Sequence, residues 1–373
     1  LIFLTSSGKM QDIGGRLAAK FETFVEKNRY VSTLKDISQE LGLSVATISR
    51  ALNGFPEVNA RTRAKVEETA KRLNYQPNRL AQKLKSGRSG QVGMIVRPDP
   101  KNPSDRGFVE IMLGLSQELA RHDLDMVFQV QLDSNPLTAY QRLVGKNTVD
   151  GFILNAPMQD DPRIAYLQEN HIPFVVHGRT GGAVDYPYFD IDNRRVGRDA
   201  TRLLLNLGHR RIVFLNGPQN RSFAVERAAG FADEIAAHDL PAQTVLYDDQ
   251  SADFGYRASL QLLGSRKEAR PTAIFCSSTV LAEGVYRAAA DLGLTIPGQL
   301  SVIAHDDAVP QLRAEEFSPS LSVTRSPLRD ACAPLARILV ETLNNPNGDR
   351  PQETAVAELI PRRSTAAPSK EIE

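Results

Sequence analysis

The chain has 373 residues, 41% of them apolar and 24% charged, with a formal net charge of +1, which calls for more than one hydrophobic core and excludes disorder along most of its length. No apolar run approaches the roughly 18 residues that span a bilayer, and the opening Leu1–Leu4 run lacks the apolar core and cleavage site of a signal peptide. Membrane insertion and Sec-type export are therefore excluded, and a cytoplasmic protein is expected.

The charge is unevenly placed. Residues 31–88 carry eleven Lys/Arg against five Asp/Glu, net +6, while everything from Ser89 onward is net −7. A basic head on an acidic body points to a nucleic-acid module joined to a part with a different partner. Residues 1–30 show little pattern; they are read as an over-extended translation start, with Val31 as the initiator.

From Thr33 the pattern sharpens. Thr33 and Asp36 form a variant capping box, and Leu34, Ile37 and Leu41 recur at helical spacing. Gly42 stops this helix because the reversal needs a positive φ, and Ser44 caps a second helix carrying Val45, Ile48 and Leu52. A third helix is expected from about Asn59 to Leu73. The three form a helix-turn-helix with a supporting helix over residues 31–77. Val45, Ala46 and Arg50 project from the second helix where base edges are met in a major groove. The planar Arg50 fork suits guanine O6 and N7, a contact worth about 1–3 kcal/mol of discrimination. Ser44, Thr47, Ser49 and Asn53 are short hydrogen-bonding residues suited to phosphates.

After Ser89, apolar runs at 92–96, 125–130, 151–154, 173–176, 211–215, 244–247, 273–276 and 300–304 alternate with helical stretches. This is the texture of βαβ units, and so many strands predict two doubly wound lobes rather than one sheet. Beyond Ile360 the Pro/Ser/Thr-rich tail is expected to fray, which places its boundary at residues 362–373. Cys276 and Cys332 lie far apart with no CxxC and no histidine cluster nearby, so no disulfide, metal or cofactor is expected. No GxSxG, HExxH, P-loop or GxGxxG occurs. Asp306 and Asp307 are adjacent on a strand and point to opposite faces, so they cannot flank one glycosidic bond together; catalysis is not expected.

Thr33-Leu34-Lys35-Asp36-Ile37, Gly42-Leu43-Ser44, Thr47-Ile48-Ser49-Arg50-Ala51-Leu52-Asn53-Gly54 and Leu73-Asn74-Tyr75-Gln76-Pro77-Asn78 resemble the head of the LacI/GalR transcription regulators, with Ser38 where the family usually has Ala. The similarity runs almost to Pro361. It implies a small all-α helix-turn-helix head, a hinge helix and linker over 78–88, and an α/β two-lobed periplasmic-binding-protein-like effector and dimerisation domain over 89–361. Asn78 to Ser86 looks like the hinge helix. Nine residues are too few for a stable isolated helix, so it would order only against the minor groove and a dimer mate. Leu84 matches the leucine wedged between base steps, and Asn78 and Lys85 would join the DNA contacts.

In the larger part, Gly208-His209-Arg210-Arg211-Ile212, Arg227-Ala228-Ala229-Gly230-Phe231, Pro271-Thr272-Ala273-Ile274-Phe275-Cys276, Leu292-Gly293-Leu294-Thr295-Ile296-Pro297 and Ser301-Val302-Ile303-Ala304-His305-Asp306-Asp307 follow the family pattern. Arg227 and Asp306 match residues that hold ligand hydroxyls. Ser278-Thr279 replaces the Asn-Asp of many members. His177-Gly178-Arg179 resembles a sugar-sensing branch of α-glucoside type. The chain has no Trp, so Phe108, Phe223 or Tyr188 would stack on a sugar face. The implied effector-binding set is Phe108, His177, Arg179, Phe223, Arg227, Ser278 and Asp306. The implied partners are a palindromic double-stranded operator, a small sugar and a second copy of the chain, in dimers rather than tail-tethered tetramers. Two other readings remain open: a saccharide-binding protein without a DNA role, and a regulator answering to a purine or a phosphorylated metabolite.

Overall fold

Local sequence signals start and stop the helices of the N-terminal unit. The computed structural model describes residues 32–75, 87–97, 106–266 and 269–369; the expectations for residues 1–30, including the Val31 start, and for the hinge helix with Asn78, Leu84 and Lys85 lie outside them. Asp36 Oδ2 accepts from the Thr33 N–H at 2.7 Å at the start of α1 (Leu34–Leu41), and Gly42 takes φ 66° at its end. Ser44 Oγ accepts from the Thr47 N–H at 3.1 Å to cap α2 (Val45–Leu52), and Asn59 Oδ1 accepts from the Thr62 N–H at 2.8 Å to cap α3 (Ala60–Arg72). These caps satisfy N–H groups that have no partner within the helix. Ile37, Ile48, Ala51, Val58, Val66 and Ala70 form the core.

The chain divides into two units between Gly87 and Arg88. The second contains two six-stranded sheets. In the first lobe, β1 (Gln91–Val96), β2 (Asp125–Val130), β3 (Gly151–Asn155), β4 (Phe174–His177), β5 (Tyr188–Ile191) and β11 (Gln352–Ala355) lie in the order β11-β5-β4-β3-β1-β2, all parallel. In the second, β6 (Ile212–Asn216), β7 (Thr244–Tyr247), β8 (Ala273–Cys276), β9 (Ser301–Asp306), β10 (Ser322–Arg325) and β12 (Glu358–Ile360) lie in the order β12-β10-β9-β8-β6-β7. Only the β10–β12 pair is antiparallel.

Helices cover both faces, as parallel strands require. They are α4 (Arg106–Ala120), α5 (Thr138–Gly145), α6 (Pro162–Glu169) and α11 (Cys332–Asn344) on the first sheet. On the second are α7 (Asn193–Asn206), α8 (Ser222–Ala237), α9 (Ala252–Leu263) and α10 (Thr279–Asp291). Each sheet separates two hydrophobic clusters. The chain passes between lobes three times, after β5, after β10 and after β11. Helices α7 and α8 pack backbone to backbone at two glycines. A Cβ on Gly230 would come within 1.9 Å of the Arg194 carbonyl oxygen, and one on Gly197 within 2.1 Å of that of Arg227.

The two doubly wound lobes agree with expectation; the frayed tail does not. Ser364 is fully buried, its Oγ donating to the Val302 carbonyl at 2.6 Å and accepting from the Ser322 N–H at 2.8 Å. Val302 N–H donates to the Ser364 carbonyl at 2.9 Å. His209 Nε2 meets the Ala366 carbonyl at 2.9 Å. The small hydroxyl residues that gave this segment a tail's composition satisfy backbone groups at the strand starts. Both cysteines are free and buried.

Candidate functional site: a basic head and a two-lobed effector cleft

On the head, α2 is the exposed helix with reading potential. Val45 is 44% exposed, and Ser44, Ala46, Arg50 and Asn53 are exposed as well, while Ile48 and Ala51 turn inward to fix the helix on α1 and α3. Among the described residues no hydrogen bond or ion pair engages the exposed Arg50 side chain; only its carbonyl is used, accepting from the Phe55 N–H at 3.1 Å. Ser44 Oγ also meets Thr47 Oγ1 at 2.8 Å, and the Asn53 amide donates to the Ser49 carbonyl, which sets the orientation of these side chains on one face. Arg63 Nη2 donates to the Phe55 carbonyl at 2.9 Å and pins the loop after α2.

Between the lobes, at the C-terminal ends of the strands, lies a cavity of about 410 Å³, where open α/β sheets bind ligands. His177, Arg179, Phe223 and Arg227 line it, as the sequence implied. Arg227 is buried, its Nε donating to Asn193 Oδ1 at 2.9 Å and its Nη1 to the Ser277 carbonyl at 2.7 Å, with the Phe223 ring 5.2 Å from the guanidinium. Burial pulls its pKa down to about 10, which still leaves it charged. His177 Nδ1 lies 2.9 Å from Asn155 Oδ1. Burial lowers the ring's pKa to about 4, so it is neutral. With Nδ1–H donated to Asn155, Nε2 remains as an acceptor.

Three implied residues sit elsewhere, and so does one stacking candidate. Asp306 does not line the cavity: its Oδ1 accepts from the Ala308 N–H at 2.8 Å, its Oδ2 lies 4.0 Å from Arg325, and Asp307 faces the cavity in its place. Neighbouring positions at a strand end face opposite ways, so a register one residue off exchanges the two carboxylates. Ser278 caps α10 through the Leu281 N–H. Phe108 packs edge-on against Phe128 at 6.3 Å, beside the core of the first lobe. Tyr188 is buried in the cluster with Tyr186 and Phe174, while its neighbour Phe189 reaches the cavity.

Other cavity residues escaped the sequence reading: Asn155, Asp190, Asn193, Ser222, Gln250 and Asp307. Asp190 lies 3.2 Å from Arg179, yet burial outweighs this partner and pushes its pKa up to about 7. Burial also works to raise that of Asp307, but the neighbouring His305, 3.4 Å away, and the charge of Arg227 hold it below the usual carboxylate range. Gln250 Nε2 donates to Ser277 Oγ at 3.1 Å, leaving its oxygen as an acceptor. Ser222 Oγ is buried at the cavity wall without a partner. The result is a wall of donors and acceptors that also presents the rings of Phe223 and Phe189. No group of metal-ligating side chains and no helix long and apolar enough to cross a membrane occurs among the described residues.

A basic helix-turn-helix followed by a two-lobed ligand cleft defines a ligand-responsive DNA-binding regulator. Residues 33–78 match the family "Bacterial regulatory proteins, lacI family", and residues 193–365 match a periplasmic binding protein-like domain. The chain is 42% identical over 336 residues to the HTH-type transcriptional regulator AglR of Rhizobium meliloti (strain 1021), covering 89% of this chain and 94% of that one. It is 34% identical to the regulator RafR of Escherichia coli over 72% of this chain and 78% of that one. Among solved structures, a complex of the transcriptional regulator CelR with cellobiose aligns at TM-score 0.67 and 27% identity, covering 89% of this chain and 99% of that one. The lac repressor dimer bound to operator and an anti-inducer shares the fold at TM-score 0.77 and 24% identity, covering 91% and 100% of the respective chains. The chain belongs to the LacI family: it is a DNA-binding transcriptional regulator controlled by a small-molecule effector, and its relatives are named as regulators and not as enzymes.

Proposed function

We propose that this regulator is a cytoplasmic, homodimeric repressor whose affinity for a palindromic operator is set by a small neutral sugar of α-glucoside type. The charge of the cavity carries the effector class. Glu226, Asp307, Asp330 and Glu358, with Asp190 partly charged at its raised pKa of about 7, face Arg179, Arg227 and Arg325, a carboxylate excess that repels a phosphorylated effector. Each hydroxyl of a sugar both donates and accepts, and Arg227 beside the acceptors of His177, Gln250 and Asp307 offers both halves of that exchange. Phe223 supplies the apolar face for a ring. In this reading Arg50 reads a G·C pair, Val45 and Ala46 contact base edges, and Ser44, Thr47, Ser49 and Asn53 fix the register on phosphates. Asn78, Leu84 and Lys85 add the hinge contacts.

An apolar surface on the first lobe supports pairing with a second copy. Val109 and Leu113 of α4 are 41% and 49% exposed, beside Phe128 and Val130 on the edge strand β2 at 37% and 43% and Leu132 just beyond it at 88%. A side-by-side run of this kind on a soluble chain marks an interface. Two heads then read two half-sites. Effector shifts the operator affinity only through unequal binding to two lobe arrangements, and about 3 kcal/mol of difference changes it roughly a hundredfold. The test is a thermal-shift panel of maltose, sucrose, trehalose and cellobiose against glucose 6-phosphate and guanine. Stabilisation by a neutral disaccharide alone is expected; stabilisation by the phosphate or the purine alone would overturn the sugar reading.

A further inference from the structure

Away from the three connecting segments, the hydrogen bonds found directly across the cleft among the described residues gather at one place on its rim. Arg221, just before α8 in the second lobe, donates from Nη1 to the Ala156 carbonyl of the first lobe at 2.6 Å. The Ser222 N–H donates to the Pro157 carbonyl at 3.0 Å, Met158 and Arg221 pair as an isolated antiparallel bridge, and Asn220 Nδ2 lies 3.9 Å from Met158 Sδ.

Each half is braced by contacts within its own lobe. In the first lobe, Asp161 accepts from the Met158 N–H at 3.0 Å and is gripped by Arg163 through Nε at 2.8 Å and Nη2 at 2.6 Å. Ala156 is held at φ 47°, in the left-handed region. Gly178, at φ 101°, leaves room for Pro157, whose Cδ would lie 2.8 Å from a Cβ there. In the second lobe, the Arg221 N–H closes a turn onto the Pro218 carbonyl at 3.0 Å. The Arg221 guanidinium is part-buried against the Ala156 carbonyl, and among the described residues no carboxylate is hydrogen-bonded to it. Such a charge-assisted bond is strong only while the two walls are together.

We propose that residues 156–158 and 220–222 form a latch that holds the two lobes together at this rim of the cleft, so that they part here only when the Arg221 bond breaks. The latch rests on the geometry of the rim and not on the identity of the effector, so it stands or falls separately from the sugar reading. The rate at which an effector exchanges is then set by the latch together with the cavity wall.

The test uses the full-length chain with no effector added. Met158→Cys with Asn220→Cys places one thiol on each half of the latch, where the native side chains lie 3.9 Å apart, while leaving Arg221 intact, and a short bis-maleimide can link them. The native cysteines are buried and do not compete. The expected result is rapid cross-linking by the bis-maleimide, slowed about tenfold by adding Arg221→Ala, the loss of one charge-assisted hydrogen bond. Arg221→Gln serves in place of Arg221→Ala if that variant misfolds, and circular dichroism checks that each protein is folded. A folded double-cysteine protein that does not cross-link, or that cross-links equally fast without Arg221, would overturn the latch.

Discussion

His209 offers a quantitative test of how the C-terminal segment is fastened. Its ring is buried between Thr272 Oγ1, 2.9 Å from Nδ1, and the Ala366 carbonyl, 2.9 Å from Nε2. Burial, opposed by the bond to Ala366, brings its pKa down from 6.5 to about 4. The unfolded chain therefore takes up the proton first as the pH falls, so the stability from this group is complete above pH 6.5 and is lost on the way down to pH 4. The shift amounts to about 3 kcal/mol in all, of which about 2 kcal/mol falls between pH 7 and pH 5. His177, also at about 4, acts in the same direction, whereas Asp190, raised to about 7, gains its proton in the folded protein and acts against it. Comparison with His209→Gln removes both contributions, because the glutamine amide can still donate to Ala366 but does not titrate. Urea midpoints of the wild type and the variant at pH 5, 6 and 7 are the assay. The wild type should lose about 2 kcal/mol more than the variant from pH 7 to pH 5. Parallel pH dependences would refute the reasoning.

Arg50→Ala should relax preference at one G·C pair in each half-site, by about 1–3 kcal/mol, while binding to random duplex is nearly retained; fluorescence anisotropy with matched and substituted duplexes reads the difference, and equal losses on both would remove the base-reading role. Asp307→Asn should abolish stabilisation by whichever disaccharide of the panel shifts the wild type, whereas Asp306→Asn should lower the melting temperature yet keep the ligand shift; the reverse outcome would reinstate Asp306 at the cavity. Leu113→Glu should convert a dimer to a monomer in light scattering at micromolar concentration, since it buries a charge at the apolar face; an unchanged mass would place the interface elsewhere.

The head was readable because its signals are local. Thr33 with Asp36, Gly42, Ser44 and Asn59 each announce a helix end within three residues, and all four stand where expected. The eight apolar runs became β1–β4 and β6–β9; β3, β6, β8 and β9 read as continuous apolar stretches because they are buried inside parallel sheets. That same continuity concealed the orientation of the site. All six residues of β9 are buried, so no alternation in the sequence tells Asp306 from Asp307. The strands not foreseen, β5, β10, β11 and β12, are three or four residues long. Gln352–Ala355 alternates exposed and half-buried polar residues at a sheet edge, which leaves little apolar signal to detect. Missing β5 also hid Asp190 and Asn193, which follow from where that strand ends. Ser222 and Gln250 carried no signal beyond their polarity, since what selects them is the three-dimensional meeting of two lobes.

The threefold passage of the chain between lobes has a consequence for synthesis. The first lobe lacks its edge strand β11 and its helix α11 until residues 332–355 have been made, and the second lacks β12 until residue 360 and its Ser364 fastening until later still. The head, complete by Tyr75, can fold as soon as it leaves the ribosome, but at roughly 5–20 residues per second neither lobe can finish for some tens of seconds more. During that interval two sheets with uncovered apolar faces coexist with a folded basic head. A chain terminated between residues 332 and 351 would thus leave the head intact while depriving both lobes of an edge strand at once, and such products should be cleared as aggregates or by proteolysis instead of surviving as unregulated DNA binders.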